Sequence, residues 1–167
     1  MLYEFIDKLD STFNFDRASA HCDIPCKIYD PISAQLAVLT MIRMVDLLEE
    51  LTAKPDLSVN EQATFSRLVT EKETHGQKVK EEIRIIWGDY FKQPQFEKFP
   101  EIHDLTHKIM LATSKAKQHV DKQATLDLLA LVNRFAEIFW QSKDISTFSA
   151  QCPYPPSQTV VYPVLSK

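Results

Sequence analysis

The sequence predicts an all-α protein: an antiparallel four-helix bundle preceded by an N-terminal hook and followed by an extended C-terminal tail. Three observations carry that expectation. Glycine occurs only twice in 167 residues, and the runs of Ala, Leu, Glu, Lys and Gln favour helix over sheet. Apolar residues recur at helical spacing in four stretches. The connections between those stretches are short, which joins amphipathic helices as antiparallel neighbours.

The first helix begins at Pro31, a residue tolerated in a first turn, and runs to about Ala53. Leu36, Leu39, Ile42 or Met44, Leu47, Leu48 and Leu51 mark its apolar side, with Met41 and Met44 as core fillers. Lys54-Pro55-Asp56 breaks the pattern. Ser58-Val59-Asn60-Glu61 is a capping box that opens the second helix. That helix runs to about Trp87 on Phe65, Leu68, Val69, Val79, Ile83 and Ile86. Its polar middle, Thr70 to Lys78 with Gly76, reads as exposed, kinked or turned toward a partner.

Aromatic residues and prolines fill the loop from Trp87 to Pro100. A third helix is expected over Glu101 to Val120, with Ile102, Leu105, Ile109, Ala112 and Ala116 on one face. A fourth is expected over Lys122 to Gln141, with Leu128, Leu131, Val132, Phe135, Ile138 and Phe139. The division that results is a leader at 1–20, the hook and bundle at 21–143, and a tail at 144–167. Pro153, Pro155, Pro156 and Pro163 keep that tail from being regular helix.

A net charge of −4 leaves no basic footprint for nucleic acid or an anionic membrane. No apolar run approaches the roughly 20 residues of a membrane helix. Residues 1–20 hold Glu4, Asp7, Asp10 and Asp16 against Lys8 and Arg17. They lack the basic start and unbroken apolar stretch of a secretory signal. Ala18-Ser19-Ala20 supplies the small residues that peptidases cleave after, so the segment reads as a short pro-sequence on a cytoplasmic protein, although residues 1–20 taken alone read more simply as a disordered or helical N-terminal tail.

The chemistry concentrates in residues 21–31, His-Cys-Asp-Ile-Pro-Cys-Lys-Ile-Tyr-Asp-Pro. His21, Cys22 and Cys26 lie within six residues and can close on one ion. The Cys22–Cys26 spacing is neither a thioredoxin motif nor a zinc knuckle, and the remaining Cys152 is too remote to complete a structural zinc site. Spacing alone leaves metal binding, free thiols and a Cys22–Cys26 disulfide open. A cut after Ala20 narrows the choice by making His21 an N-terminus. Its amine and the Cys22 backbone nitrogen then form a five-membered chelate, which two thiolates complete as a planar N2S2 set. Nickel(II) and copper(II) prefer such tetragonal donors. Pro25 helps the loop turn so that Cys26 meets Cys22.

The run His-Cys-Asp-x-Pro-Cys-x-x-Tyr-Asp-Pro resembles the hook of the nickel-containing superoxide dismutases. The resemblance extends to Trp87-Gly88-Asp89-Tyr90-Phe91-Lys92, Phe96-Glu97-Lys98-Phe99-Pro100-Glu101 and Ile138-Phe139-Trp140. It implies a four-helix-bundle subunit, a homohexamer, one nickel ion per subunit and removal of a pro-sequence by a processing peptidase. The implied nickel ligands are the His21 amine and imidazole, the Cys22 nitrogen, and the thiolates of Cys22 and Cys26. Tyr29 resembles the tyrosine lining the approach of superoxide, with Asp23 and Tyr90 supporting it. Tyr90 is also read as a half-buried packing tyrosine. Lys27 and Lys92 are candidate steering cations for the anionic substrate.

The chain departs from the family pattern in three places. Ala37 and His75 stand where a glutamate and an arginine that position the axial imidazole are expected, and Lys27 stands where the family often has glycine. His103 and His107, at i and i+4, lack a third ligand and read as solvated or capping residues. The run Lys78, Lys80, Glu81, Glu82, Arg84 reads as a solvated face. Two rival readings remain at this level: a nickel or copper carrier, and a non-catalytic helical interaction protein.

Overall fold

The computed structural model describes residues 27–165. The elements are α1 (Ile32–Thr52), α2 (Val59–Ile85), a π-helical turn (Ile86–Tyr90), α3 (Gln93–Lys98), α4 (Ile102–Gln118), α5 (Lys122–Gln141), β1 (Thr147–Gln151) and β2 (Thr159–Pro163). The chain is mostly helical, as the composition predicts. Helix α1 packs on α2 and α5, and α4 packs on the same two.

Local chemistry sets the helix ends. Asp30 Oδ1 accepts from the Ile32 N–H at 2.8 Å, so Asp30 caps α1 and Pro31 occupies its first turn. The Ser58–Glu61 capping box forms at the start of α2. At α5, Asp121 Oδ1 accepts from the Ala124 N–H at 3.1 Å. These side chains satisfy amides that a helix N-terminus otherwise leaves unpaired.

The core joins Met41 and Ile42 of α1, Val79 and Ile83 of α2, Ile109 of α4, and Leu128, Val132, Phe135 and Phe139 of α5. Each large side chain buried there contributes roughly 1.5–3 kcal/mol. Leu36, expected on the inner side, is instead exposed, while Ala34, Ala37 and Val38 face inward. Phe65, Leu68 and Val69 are only partly buried.

The polar middle of α2 lies within one continuous helix and is not wholly exposed. Lys72 is buried and donates from Nζ to Ala116 O at 2.9 Å and to Lys117 O. An ammonium there meets the carbonyl-rich, negative end of α4. Gly76, one turn on, lets the Lys117 stem cross α2. A Cβ at that position would lie 2.7 Å from Lys117 Cδ and 3.3 Å from Met41 Cε.

Two further elements go beyond the expectation. The aromatic loop contains the π-helical turn and α3, whose first turn closes as Lys92 N–H donates to Gln95 Oε1 at 3.1 Å. The tail is a β-hairpin, pairing Thr147 with Pro163 and Gln151 with Thr159 in antiparallel register. Its strand β2 packs on α5. Cys152 is buried at the end of the hairpin and donates from Sγ to Tyr154 O at 3.2 Å.

Candidate metal centre

His21, Cys22, Asp23 and Cys26 lie outside the described residues, as does the expected pro-sequence at 1–20. What the structure describes is the base on which the hook stands. Lys27 follows Cys26 directly and has φ 58°, the left-handed region that glycine enters without steric cost. Lys27, where the resemblance leads one to expect glycine, thus has the backbone conformation that favours glycine. The chain then passes Tyr29 and locks into α1 through the Asp30 cap. In this stretch Asp30-Pro31 acts as a helix-start signal, fixing where the hook leaves the fold.

Tyr29 sits beside an aromatic wall. Its ring centroid lies 5.8 Å from that of Tyr90, and Tyr90 lies 4.8 Å from Phe139 and 5.1 Å from Phe91. The π-helical turn widens the backbone by one residue per bond, with Phe91 N–H donating to Ile86 O at 3.3 Å. Tyr90 and Phe91 both turn toward α5 as a result.

The Tyr90 hydroxyl has a defined role. Ser142 Oγ donates to Phe139 O at 2.7 Å and lies 2.7 Å from Tyr90 Oη. The single serine proton is spent on the carbonyl, so Tyr90 O–H donates to Ser142 Oγ. Tyr90 is held by packing and by that bond, which favours the packing reading.

Ala37 and His75, the positions where the resemblance leads one to expect a glutamate and an arginine, offer no such pair. Ala37 is buried in the core and carries no polar side-chain atom. His75 donates from Nδ1 to Glu71 O of its own helix at 2.9 Å. A polar recess beside Tyr29 is lined by Asp30, Ser33 and Glu82, so Glu82 faces the base of the hook instead of an open solvated face.

The other sequence candidates separate cleanly. Among the described residues no three His, Cys, Asp or Glu side chains come together as a metal site. His103 accepts at Nδ1 from Trp87 Nε1 at 3.1 Å and lies 4.3 Å from the Phe96 ring; it anchors the aromatic loop. Lys92 donates from Nζ to Gly88 O at 3.0 Å, folding back on its own turn. Lys143, which no sequence motif singles out, lies over the wall, with Nζ 4.6 Å from the Tyr90 centroid and 5.1 Å from that of Phe139.

The profile of a family described as nickel-containing superoxide dismutase matches residues 16–143. The match starts before His21, spans the hook and all four long helices, and stops short of the hairpin. The nickel superoxide dismutase of Streptomyces seoulensis is 35% identical over 130 residues, 76% of this chain and 91% of the relative. That of Streptomyces coelicolor is 35% identical over 128 residues, 75% of this chain and 89% of the relative. A native nickel superoxide dismutase structure superposes with TM-score 0.63 at 32% identity, covering 74% of this chain and 99% of that one. An apo structure gives TM-score 0.61 at 28% identity, covering 70% and 98%. The chain belongs to the nickel-containing superoxide dismutase family.

Proposed function

We propose that this nickel-dependent superoxide dismutase works through a hook completed by proteolysis, with the metal at a mature N-terminus beginning at His21. The overall reaction turns two superoxide ions and two protons into oxygen and hydrogen peroxide. The residues that would hold nickel are His21, through its freed amine and its imidazole, Cys22, through its backbone nitrogen and thiolate, and Cys26, through its thiolate. The donor set fits the metal: thiolates are soft, and the nitrogen pair suits tetragonal coordination. When bound, nickel supplies one-electron chemistry between its +2 and +3 states, which anionic thiolate and amide donors bring within reach.

In this reading the rest of the chain shapes the approach. Tyr29 lines the path of superoxide, with Asp23 supporting the hook and Tyr90 backing Tyr29 from the wall. The Tyr90 proton is committed to Ser142, so Tyr90 serves as backing for the Tyr29 ring. The left-handed turn at Lys27 and the Asp30 cap preset the direction of the hook, reducing the ordering needed on metal binding. The four long helices form the antiparallel bundle, six copies assemble as a homohexamer, and a cytoplasmic peptidase removes residues 1–20.

The observation that carries the reading is the run from His21 to Pro31, inside the family match. Its last residues start α1 beside the aromatic wall. Intact mass and metal content of protein purified from nickel-replete cells test it. The expected result is a chain beginning at His21, one nickel per subunit and superoxide-dependent turnover. Active protein retaining Met1, or active protein without nickel, overturns it.

A further inference from the structure

Lys143 follows the final turn of α5, where its ammonium spans the rings of Tyr90 and Phe139 at 4.6 Å and 5.1 Å. Both distances lie within cation–π range. Asp144, the next residue, pairs with Lys98 at 3.1 Å, and among the described residues Lys143 itself makes no ion pair. This arrangement differs from a salt bridge in one decisive respect. An aromatic ring fixes the position of a cation without cancelling its charge, so the field of Lys143 persists in the solvent over the wall.

The wall leads to the base of the hook, because Tyr90 lies 5.8 Å from Tyr29. Two such steps put the ammonium on the order of 10 Å from Tyr29, about one Debye length at moderate salt. The substrate is an anion, and the chain without residues 1–20 still carries a net charge of −2, which repels it at long range. Lys92, a sequence candidate for this work, is turned onto Gly88 O. From this geometry we infer that Lys143 is a steering residue for superoxide, drawing the anion across Tyr90 toward Tyr29. The inference rests on the reading of Tyr29 as the lining of the approach.

The test measures kcat/KM for superoxide by pulse radiolysis against ionic strength, on processed, nickel-loaded protein. It compares wild type with Lys143→Arg, Lys143→Gln and Lys143→Glu, and includes Tyr29→Phe. At low salt, Lys143→Gln is expected to lose about twofold and Lys143→Glu about fourfold. That is the size of one or two unit charges acting through water at on the order of 10 Å. Lys143→Arg keeps the wild-type rate and salt slope. The variants converge with wild type at about 1 M salt, where screening is nearly complete. Nickel content and the Ni(III) electron paramagnetic resonance spectrum stay unchanged throughout, as steering requires.

A wild-type salt slope in Lys143→Glu overturns the inference, as does a deficit that persists at high salt. Those results alongside an impaired Tyr29→Phe reject the Lys143 role alone. An unimpaired Tyr29→Phe instead rejects the reading of the approach, and the inference with it.

Discussion

Gln35 of α1 donates from Nε2 to Asn133 Oδ1 of α5 at 3.0 Å, and the same nitrogen donates to Val161 O at 3.0 Å. Asn133 extends the contact: its Nδ2 donates to Thr159 O at 3.0 Å, and its Oδ1 accepts from Val161 N–H at 3.3 Å. Thr159 and Val161 are alternate residues of β2, so these backbone groups share one edge of the strand. Two side chains take the place of a third strand and satisfy an edge that would otherwise be open.

Asn133→Ala removes that closure, and its effect is local enough to read at one amide. Hydrogen exchange at Val161 N–H is expected to accelerate, with a loss of about 1–3 kcal/mol in urea unfolding. Gln35→Leu leaves the Val161 carbonyl unpaired but spares its amide, so it destabilises without the same exchange change. Unaltered Val161 protection in Asn133→Ala would show that the edge is protected by something else.

Lys72 offers a second measurable contact. Its ammonium reaches the Ala116 and Lys117 carbonyls from a buried position. Lys72→Met keeps much of the stem volume but leaves those acceptors unpaired, for an expected loss of about 1–3 kcal/mol by chemical denaturation. Burial lowers the Lys72 pKa below its ordinary 10.5, partly countered by Glu73. The folded chain thus releases this proton before the unfolded chain does. Stability rises with pH between the lowered value and 10.5, and the wild-type minus Lys72→Met difference should grow across that window. A difference that shrinks there contradicts the assignment.

These two sites mark where the sequence was legible and where it was not. Helix spans could be read closely because their signals are local: Pro31, the Ser58–Glu61 box and the long apolar repeat of α5 each act within a few residues. Lys72 and Gly76 could not be read as inward-facing, since their partner is the end of α4, more than 40 residues away. The hairpin did leave a trace in Thr159-Val160-Val161-Tyr162, a β-branched and aromatic run. The neighbouring prolines argued more loudly against regular structure. At the candidate site the proposed ligands His21, Cys22 and Cys26 come from one contiguous run of the sequence and lie outside the described residues. Lys143 was not legible, because its role depends on rings supplied from two elements.

The turn at Lys27 makes a further prediction about the hook. Its φ of 58° costs an ordinary L-residue about 1–2 kcal/mol, and a β-branched side chain is still less compatible. Lys27→Gly should load nickel at least as well as wild type after processing. Lys27→Ile should bind it about 5–30-fold more weakly, the equivalent of 1–2 kcal/mol. Direct nickel titration of the processed apo chains measures both. Equal affinities for Lys27→Ile and wild type would mean that the metal-bound hook does not use this turn.

The capping box at α2 predicts a defined acid response. Glu61 accepts from Lys54 Nζ, from Ser58 O–H at 2.7 Å and from Ser58 N–H at 2.9 Å. The Lys54 bond, followed by those from Ser58, holds the Glu61 pKa at about 2, below its ordinary 4.5. A depressed carboxyl pKa stabilises the folded state fully above the unfolded value and loses that effect as pH falls toward the folded one. The first turn of α2 should therefore fray between about pH 4.5 and about pH 2. Amide exchange at Asn60, Glu61 and Gln62 follows that change. Glu61→Gln keeps the shape of the box and an acceptor for Ser58 N–H but removes the titrating group, so its first turn should lack this transition. If both proteins fray in parallel across the window, the Glu61 carboxylate is not what holds the start of the helix.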